Sequence, residues 1–306
     1  MRKKGFIQIP FGWLFAILVG AVILFIAVYG ITKLISTEEE TQALKTGIEI
    51  GILLNPLETS FQTAQSLSVT IPAETRIYSG CSVENIFGRQ LIQISQRSLG
   101  KWTKKSESVG FSNKYIFSES PAEGKKFHLF SKPFEFPFKV ADLIYLTSSS
   151  EKYCFKNAPE DIKDEISRLS QENFMVENCQ GEQVNICFED GANCDVNVKR
   201  NLGYLEKGGE RMYFEVDALM YAGIFSPKEI YECQLKRLMQ RTEQLAVIYD
   251  EKASFILQTA ECESNLNLED LISSARNFKD STDISSVKII ADEIQKKNDL
   301  AGCKLW

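Results

Sequence analysis

The chain lacks the sequence motifs that mark most catalytic and metal sites. Its 306 residues include one histidine, His128, and no HExxH, GxSxG, Walker or GxGxxG sequence. Structural zinc sites usually pair cysteines about two to four residues apart. The closest cysteines here, Cys187 and Cys194, enclose six residues. We therefore expect no catalytic residue, no cofactor and no metal site, and we expect that the protein is not an enzyme.

Basic residues are outnumbered by acidic ones beyond the start of the chain. The net charge is −6, and residues 1–9 contribute +3, so the remainder carries −9. An acidic surface repels nucleic acid, which is excluded as a principal partner on this ground. Three clustered cations, Lys236, Arg237 and Arg241, are interpreted as the solvent-facing side of a helix. His128, flanked by Phe127 and Leu129, is interpreted as a structural residue of a strand.

One long hydrophobic run is present near the start of the chain. No charged residue occurs between Lys4 and Lys33, and an apolar core extends from Phe11 to Ile31. About 20 helical residues cross a bilayer, whereas the apolar region of a cleaved signal peptide is about 7–15 residues long. We predict a retained transmembrane helix, in preference to a signal peptide or a buried core helix. The preceding basic residues place the N-terminus in the cytoplasm and the rest of the protein outside the cell membrane.

The start of the chain also resembles a known export signal. The residues RKKG end at Gly5 and directly precede Phe6 and the hydrophobic run. This arrangement is similar to the class III signal of type IV pilins and archaeal pilin-like proteins, and the whole chain resembles archaeal single-pass exported membrane proteins. The resemblance implies cleavage after Gly5, which would leave Phe6 as the first mature residue. Pro10 stands where many pilins carry glutamate.

Small residues form a stripe along the predicted membrane helix. Gly12, Ala16 and Gly20 recur every four residues, a spacing that allows two helix backbones to approach closely in lipid. The helical pattern continues beyond the membrane until Pro56. A helix over residues 11–54 would be about 65 Å long. We expect its outer half to be a stalk that packs against protein.

All eight cysteines follow the membrane helix, and their number is even. In an exported chain this pattern predicts disulfides, with free thiols and metal ligation as the alternatives. Cys187 and Cys194 enclose a short turn, which favours a local bridge. Cys233 and Cys262 stand at opposite ends of one predicted helix, too far apart to pair. For the other cysteines we predict the disulfides Cys262–Cys303 and Cys154–Cys179. Cys81 and Cys233 are left without an assigned partner.

The pattern of the remaining chain predicts the α+β class. We predict a cytoplasmic basic leader (1–9), a transmembrane helix (10–35), an extracellular helical stalk (36–56), a β-rich α+β ectodomain (57–225) and a C-terminal helical region (226–306). Strands of the ectodomain are expected to be mainly antiparallel, with one parallel connection. The aromatic row Phe134, Phe136 and Phe138 is interpreted as core, and an exposed docking edge is the alternative.

The C-terminal region carries a stripe suited to helix packing. Its apolar positions follow a 4,3 alternation from Tyr231 to Ile256. A three-helix bundle within the chain would cover this stripe, and self-association is the alternative.

These observations predict a protein that works by association. We expect a membrane-anchored extracellular structural or adhesion protein, of the kind that forms a pilin-like subunit of a surface assembly. Its partners would be the lipid bilayer and either copies of itself or other membrane and surface proteins. The alternative is a non-catalytic ectodomain subunit of a membrane-bound secretion, maturation or enzyme complex.

Overall fold

The computed structural model describes residues 11–53, 66–98, 100–177, 179–189, 191, 193–260 and 266–306. Its first element is one uninterrupted helix, α1, from Phe11 to Leu53. The predicted continuous helix is therefore present from Phe11 to Leu53. Within α1, the segment Phe11–Ile31 has a mean hydropathy of 2.8, and none of it is buried inside the protein. By length and composition this segment is able to cross a membrane.

The first sheet contains the strands β1 to β7. These are β1 Ser66–Ser82, β2 Arg89–Ser98, β3 Lys101–Trp102, β4 Val109–Phe111, β5 Ile116–Phe117, β6 Ala122–Glu135 and β7 Lys139–Ser148. Their order is β3–β2–β1–β6–β7–β5, and β4 pairs with β2. Strand β5 runs parallel to β7, and the other pairs are antiparallel. Alternate residues such as Ile92 and Ile94 share one face and form a small apolar core.

The second sheet contains the strands β8 to β13. These are β8 Tyr153–Lys156, β9 Phe174–Val176, β10 Val184–Phe188, β11 Val196–Lys199, β12 Tyr204–Lys207 and β13 Glu210–Tyr213. Their order is β13–β12–β11–β10–β8–β9. Strand β8 is parallel to β9 and β10, and β10 is parallel to β11. The expected dominance of antiparallel pairing does not hold for this sheet.

The parallel pairing has a local cause. Helix α2, Glu160–Leu169, connects β8 to β9 and so returns the chain to the same end of the sheet, as a parallel pair requires. Tyr153, Cys154 and Phe155 of β8 are all buried. A strand covered on both faces loses the polar–apolar alternation that marks a half-exposed antiparallel strand.

A fully buried helix joins the two sheets. Helix α3, Asp217–Phe225, is buried from Ala218 to Phe225, as expected for a helix that is apolar on all sides. It contacts β6 and β7 of the first sheet and β12 of the second. The main hydrophobic core therefore includes residues of both sheets, and it extends into the C-terminal helices.

The C-terminal region is helical, as predicted, although a helical bundle is not confirmed. Helix α4, Lys228–Ala260, contacts β1, β5 and β7 of the first sheet and β13 of the second. Helix α5, Glu269–Arg276, packs on α4, and helix α6, Ile284–Leu300, contacts α5. The chain is thus α+β, with an apolar N-terminal helix, mixed sheets and C-terminal helices.

The predicted packing stripe of α4 is covered by the chain itself. Tyr231, Leu235 and Leu238 are fully buried in the main core. Further along, Tyr249 and Ile256 are partly buried and pack against the same core. The stripe is therefore used for intramolecular packing.

The aromatic row at the β6–β7 connection is also core. Phe134, Phe136 and Phe138 are each at most 1% exposed. Phe138 packs on Tyr249 of α4 and on Trp306, with ring centroids 4.6 and 5.4 Å apart. The row therefore attaches the β6–β7 hairpin to the C-terminal helices.

Candidate functional site

The small-residue stripe of α1 has an open surface. Gly12 and Ala16 are exposed, and a Cβ atom placed on Gly12 or Gly20 would meet nothing within 4 Å. The helical period puts Ala27 and Gly30 on the same side as this stripe. Small residues thus recur along one face of the apolar segment, where the exposed Ile23 stands between Gly20 and Ala27.

The rest of α1 is attached to the first sheet. The helix contacts β2 and β4. Because the segment Phe11–Ile31 is not buried against the protein, these contacts come from the helix after Ile31. The single helix Phe11–Leu53 therefore includes both the apolar segment and the part that contacts the first sheet.

Three disulfides connect described cysteines. They are Cys154–Cys179, Cys187–Cys194 and Cys81–Cys233. The first two are pairings that the sequence predicted. The third joins the residues left unassigned, and its Cα atoms are 6.0 Å apart. Disulfides are typical of proteins that fold in an oxidising compartment.

Two further predictions, the Cys262–Cys303 disulfide and cleavage of the leader after Gly5, involve residues that the structure describes only in part. Cys303 is disulfide-bonded. Its predicted partner Cys262 lies outside the described residues, and so do Gly5 and Phe6 at the predicted leader cleavage. Those two predictions therefore stay predictions.

The interpretation of Arg237 as a solvent-facing cation is wrong. Its side chain is 0% exposed and lies over the Tyr115 ring, 4.6 Å from the centroid. The guanidinium donates hydrogen bonds of 2.8–3.3 Å to the backbone carbonyls of Phe87, Phe111, Ser112 and Lys114. Burial lowers its pKa to about 10. Helical periodicity missed this residue because the carbonyls that accept its hydrogen bonds come from distant loops.

His128 is buried in β6, opposite Thr147 of β7. Its Nε2 atom is 3.5 Å from a carboxylate oxygen of Glu172, an acidic neighbour that the sequence did not reveal. Burial lowers the pKa of the imidazole, and the Lys126 ammonium acts in the same direction. Among the described residues, no three potential metal-binding side chains come together. The surroundings of His128 are those of a structural side chain at a sheet surface.

A groove of about 590 Å³ lies where the β6–β7 connection meets the start of α3 and the side of α6. Its lining includes Phe136, Pro137, Val216 and Trp306. The lysines at its rim are neutralised by carboxylates of the chain, for example Lys288 by Asp292 at 2.5 Å. The groove is thus lined by apolar side chains together with charged side chains that are paired within the chain.

No protein-family model, no curated protein and no solved structure matches this chain. The function is therefore argued from the open apolar helix, the disulfide-bonded body and the groove.

Proposed function

We propose that the protein is anchored in the cell membrane by α1, with its N-terminus in the cytoplasm and its disulfide-bonded body outside. In this proposal it acts by association, as a structural or adhesion subunit of a surface assembly. In this role the protein does not act as a catalyst, and nucleic acid is not its partner. Its partners are the lipid bilayer and further copies of the chain.

The geometry of α1 carries this proposal. Its apolar half is uncovered and bears the stripe of Gly12, Ala16 and Gly20, while its other half contacts β2 and β4. Apolar side chains left open in this way need lipid or another helix around them. A stripe of small residues suits close contact between helices in lipid.

The resemblance of the leader to class III signals supports a pilin-like form of this assembly. Cleavage after Gly5 would leave a mature chain that starts with the apolar helix. Such a subunit has the helix as its stem and the two sheets as its head.

A second candidate function is that of a non-catalytic ectodomain in a membrane-bound secretion, maturation or enzyme complex. The groove beside Phe136 and Trp306 favours this alternative, because its apolar floor and neutralised rim could receive part of another protein. The two candidates differ in whether copies of the chain associate with each other.

Association is tested with a matched pair of substitutions. Ala16→Leu places a larger side chain in the stripe, whereas Ala21→Leu makes the same change on the opposite side of α1, and both alanines are exposed. Small residues let two helix backbones approach closely in lipid, and a leucine in the stripe keeps them apart. We therefore expect Ala16→Leu to weaken self-association and Ala21→Leu to leave it unchanged.

The measurement is the oligomer fraction of the full chain against protein concentration in detergent micelles, by light scattering. Intact disulfides in both variants serve as the control for folding. A wild-type chain that is monomeric throughout, or an equal effect of the two substitutions, would contradict self-association through the stripe. A monomer purified with other membrane proteins would favour the second candidate.

A further inference from the structure

The turn between β1 and β2 exposes a group of apolar side chains. Val83, Ile86 and Phe87 are 40%, 64% and 38% exposed, respectively. We call these three residues the apolar tip. They stand close together in the sequence SVENIFG and project from one end of the first sheet. Several large apolar side chains exposed together on a soluble surface usually mark a contact with another molecule.

The fold holds the apolar tip in place from behind. The backbone carbonyls of Phe87 and Val83 accept hydrogen bonds from Arg237 Nε and Gln240 Nε2 of α4, at 3.1 and 3.3 Å. The Cys81–Cys233 disulfide ties the strand that leads into the turn to the same helix. The apolar side chains are consequently presented on a supported turn, which reduces the entropic cost of binding.

Gly88 shows how closely the turn fits against α4. It has a φ of 56°, and a Cβ atom at this position would clash with the Ser82 backbone carbonyl and lie 2.8 Å from Arg237 Cγ. Any other residue would therefore disturb both the backbone of the turn and its contact with the helix. The close fit of the backbone contrasts with the exposure of the apolar side chains on the outer side of the turn.

The apolar tip and the membrane helix meet the same end of the sheet. Strand β4 pairs with Gln90, Leu91 and Ile92, which directly follow the turn. Helix α1 contacts both β4 and β2. The contacting part of α1 follows Ile31, so it lies within about 33 Å of the end of the apolar segment along the helix axis. The turn therefore lies at the end of the first sheet where β4, one of the strands that α1 contacts, pairs with β2.

We propose that the apolar tip inserts into the outer boundary of the bilayer in which α1 is anchored, as a second and shallow membrane contact. This inference rests on the proposed anchoring of α1. The exposed Glu84 within the same turn disfavours attraction to anionic headgroups. Burial of apolar surface is the driving force, so the contact forms on uncharged phosphatidylcholine and does not depend on salt. It holds the head at a fixed tilt to the membrane.

Tryptophan fluorescence of the full chain in phosphatidylcholine vesicles tests the contact. The lipids carry bromine on acyl carbons close to the headgroup, because interfacial segments lie about 5–10 Å into this boundary. In a Trp13→Phe background, Ile86→Trp adds a reporter to the apolar tip. Leu202→Trp adds a matched reporter at a remote turn, where the leucine is 68% exposed.

We expect bromine to quench the added fluorescence of Ile86→Trp and to leave that of Leu202→Trp unchanged, at low and at high salt. A tip reporter that is not quenched overturns the inference. So does a blue-shifted but unquenched reporter, since it would place the tip against protein. Trp13 of the unmodified background reports on α1 itself. Quenching of Trp13 without quenching at position 86 overturns only the tip contact, whereas unquenched Trp13 overturns the proposed anchor as well.

Discussion

At the scale of single residues, Arg237 holds loops of the fold together from a buried position. Its guanidinium is buried without a carboxylate and is satisfied by backbone carbonyls of two loops and by Gln234 Oε1 at 2.6 Å. A planar donor with five N–H groups is suited to gathering several carbonyls at once. Arg237 thereby connects α4 to the turn that follows β1 and to the loop that follows β4.

Replacement of Arg237 should therefore destabilise the fold strongly. Arg237→Met leaves several buried carbonyls without a donor, and we expect the free energy of unfolding to fall by about 3 kcal/mol. The matched control is Arg241→Met, one turn later on α4, where the side chain makes a 2.7 Å bond to the Val140 carbonyl. That variant should lose about 1 kcal/mol. Urea unfolding with the disulfides intact measures the free energy of unfolding of both variants. Equal losses would show that the hydrogen bonds of Arg237 to the cluster of carbonyls stabilise the fold no more than the single bond of Arg241.

His128 gives the fold a pH dependence of known sign. Its pKa in the folded protein is lowered by burial from the usual 6.5, so the unfolded chain takes up a proton first as the pH falls. The stability contributed by neutral His128 is complete above pH 6.5 and is lost below it. Glu172 has a pKa lowered from 4.5, so its own contribution is lost only at more acidic pH.

We expect the wild-type protein to lose stability as the pH falls below 6.5, and His128→Gln to lose less over the same range. Urea unfolding at a series of pH values measures the difference. Identical slopes for the two proteins would mean that another group is responsible for the acid sensitivity.

At the scale of elements, the bridge from β1 to α4 should contribute most among the three described disulfides. Cys81 and Cys233 are 152 positions apart, whereas Cys187 and Cys194 are 7 apart. In the chain-entropy model a bridge restricts the unfolded state more when it closes a longer loop. Replacing both cysteines by serine should thus cost about 5 kcal/mol for the long loop and about 2 kcal/mol for the short one.

Urea unfolding of the two double variants without reductant tests this order. The short-loop variant is the control for the loss of a disulfide as such. A larger loss from Cys187→Ser/Cys194→Ser would contradict the chain-entropy explanation.

The same elements show how far the sequence alone can predict this fold. A long apolar run in the sequence predicts helix α1. Two cysteines on either side of a short turn predict the Cys187–Cys194 bridge. The Cys81–Cys233 bridge and the buried Arg237 depend on residues about 150 positions apart that only the tertiary fold brings together. The sequence predicted one parallel connection, whereas the second sheet has three parallel pairs. Strand β8 gave no alternation to read because its residues Tyr153, Cys154 and Phe155 are all buried. The open stripe on α1 was predicted, but the supported apolar tip was not.

At the scale of the whole molecule, the apolar helix and the disulfides each make a demand on where the body of the protein lies. The helix has the length to cross a membrane, and the bridges need an oxidising compartment. Both demands are met if the body lies outside and the basic leader remains in the cytoplasm. In the proposed anchoring, the orientation of α1 would decide whether the bridges form, and the charge of the leader would set that orientation.

Reversing the charge of the leader should therefore abolish disulfide formation. Changing Arg2, Lys3 and Lys4 to glutamate removes the positive charge that keeps the N-terminus in the cytoplasm, and we expect the body to be retained on the wrong side with reduced cysteines. Thiol labelling of denatured, unreduced protein from the expressing cells should find few free thiols in the wild type and many in the variant. The matched control, Lys3→Arg, keeps the charge and should behave as the wild type. Free thiols at all eight cysteines of the wild-type chain would contradict the proposed location of the body outside the cytoplasm.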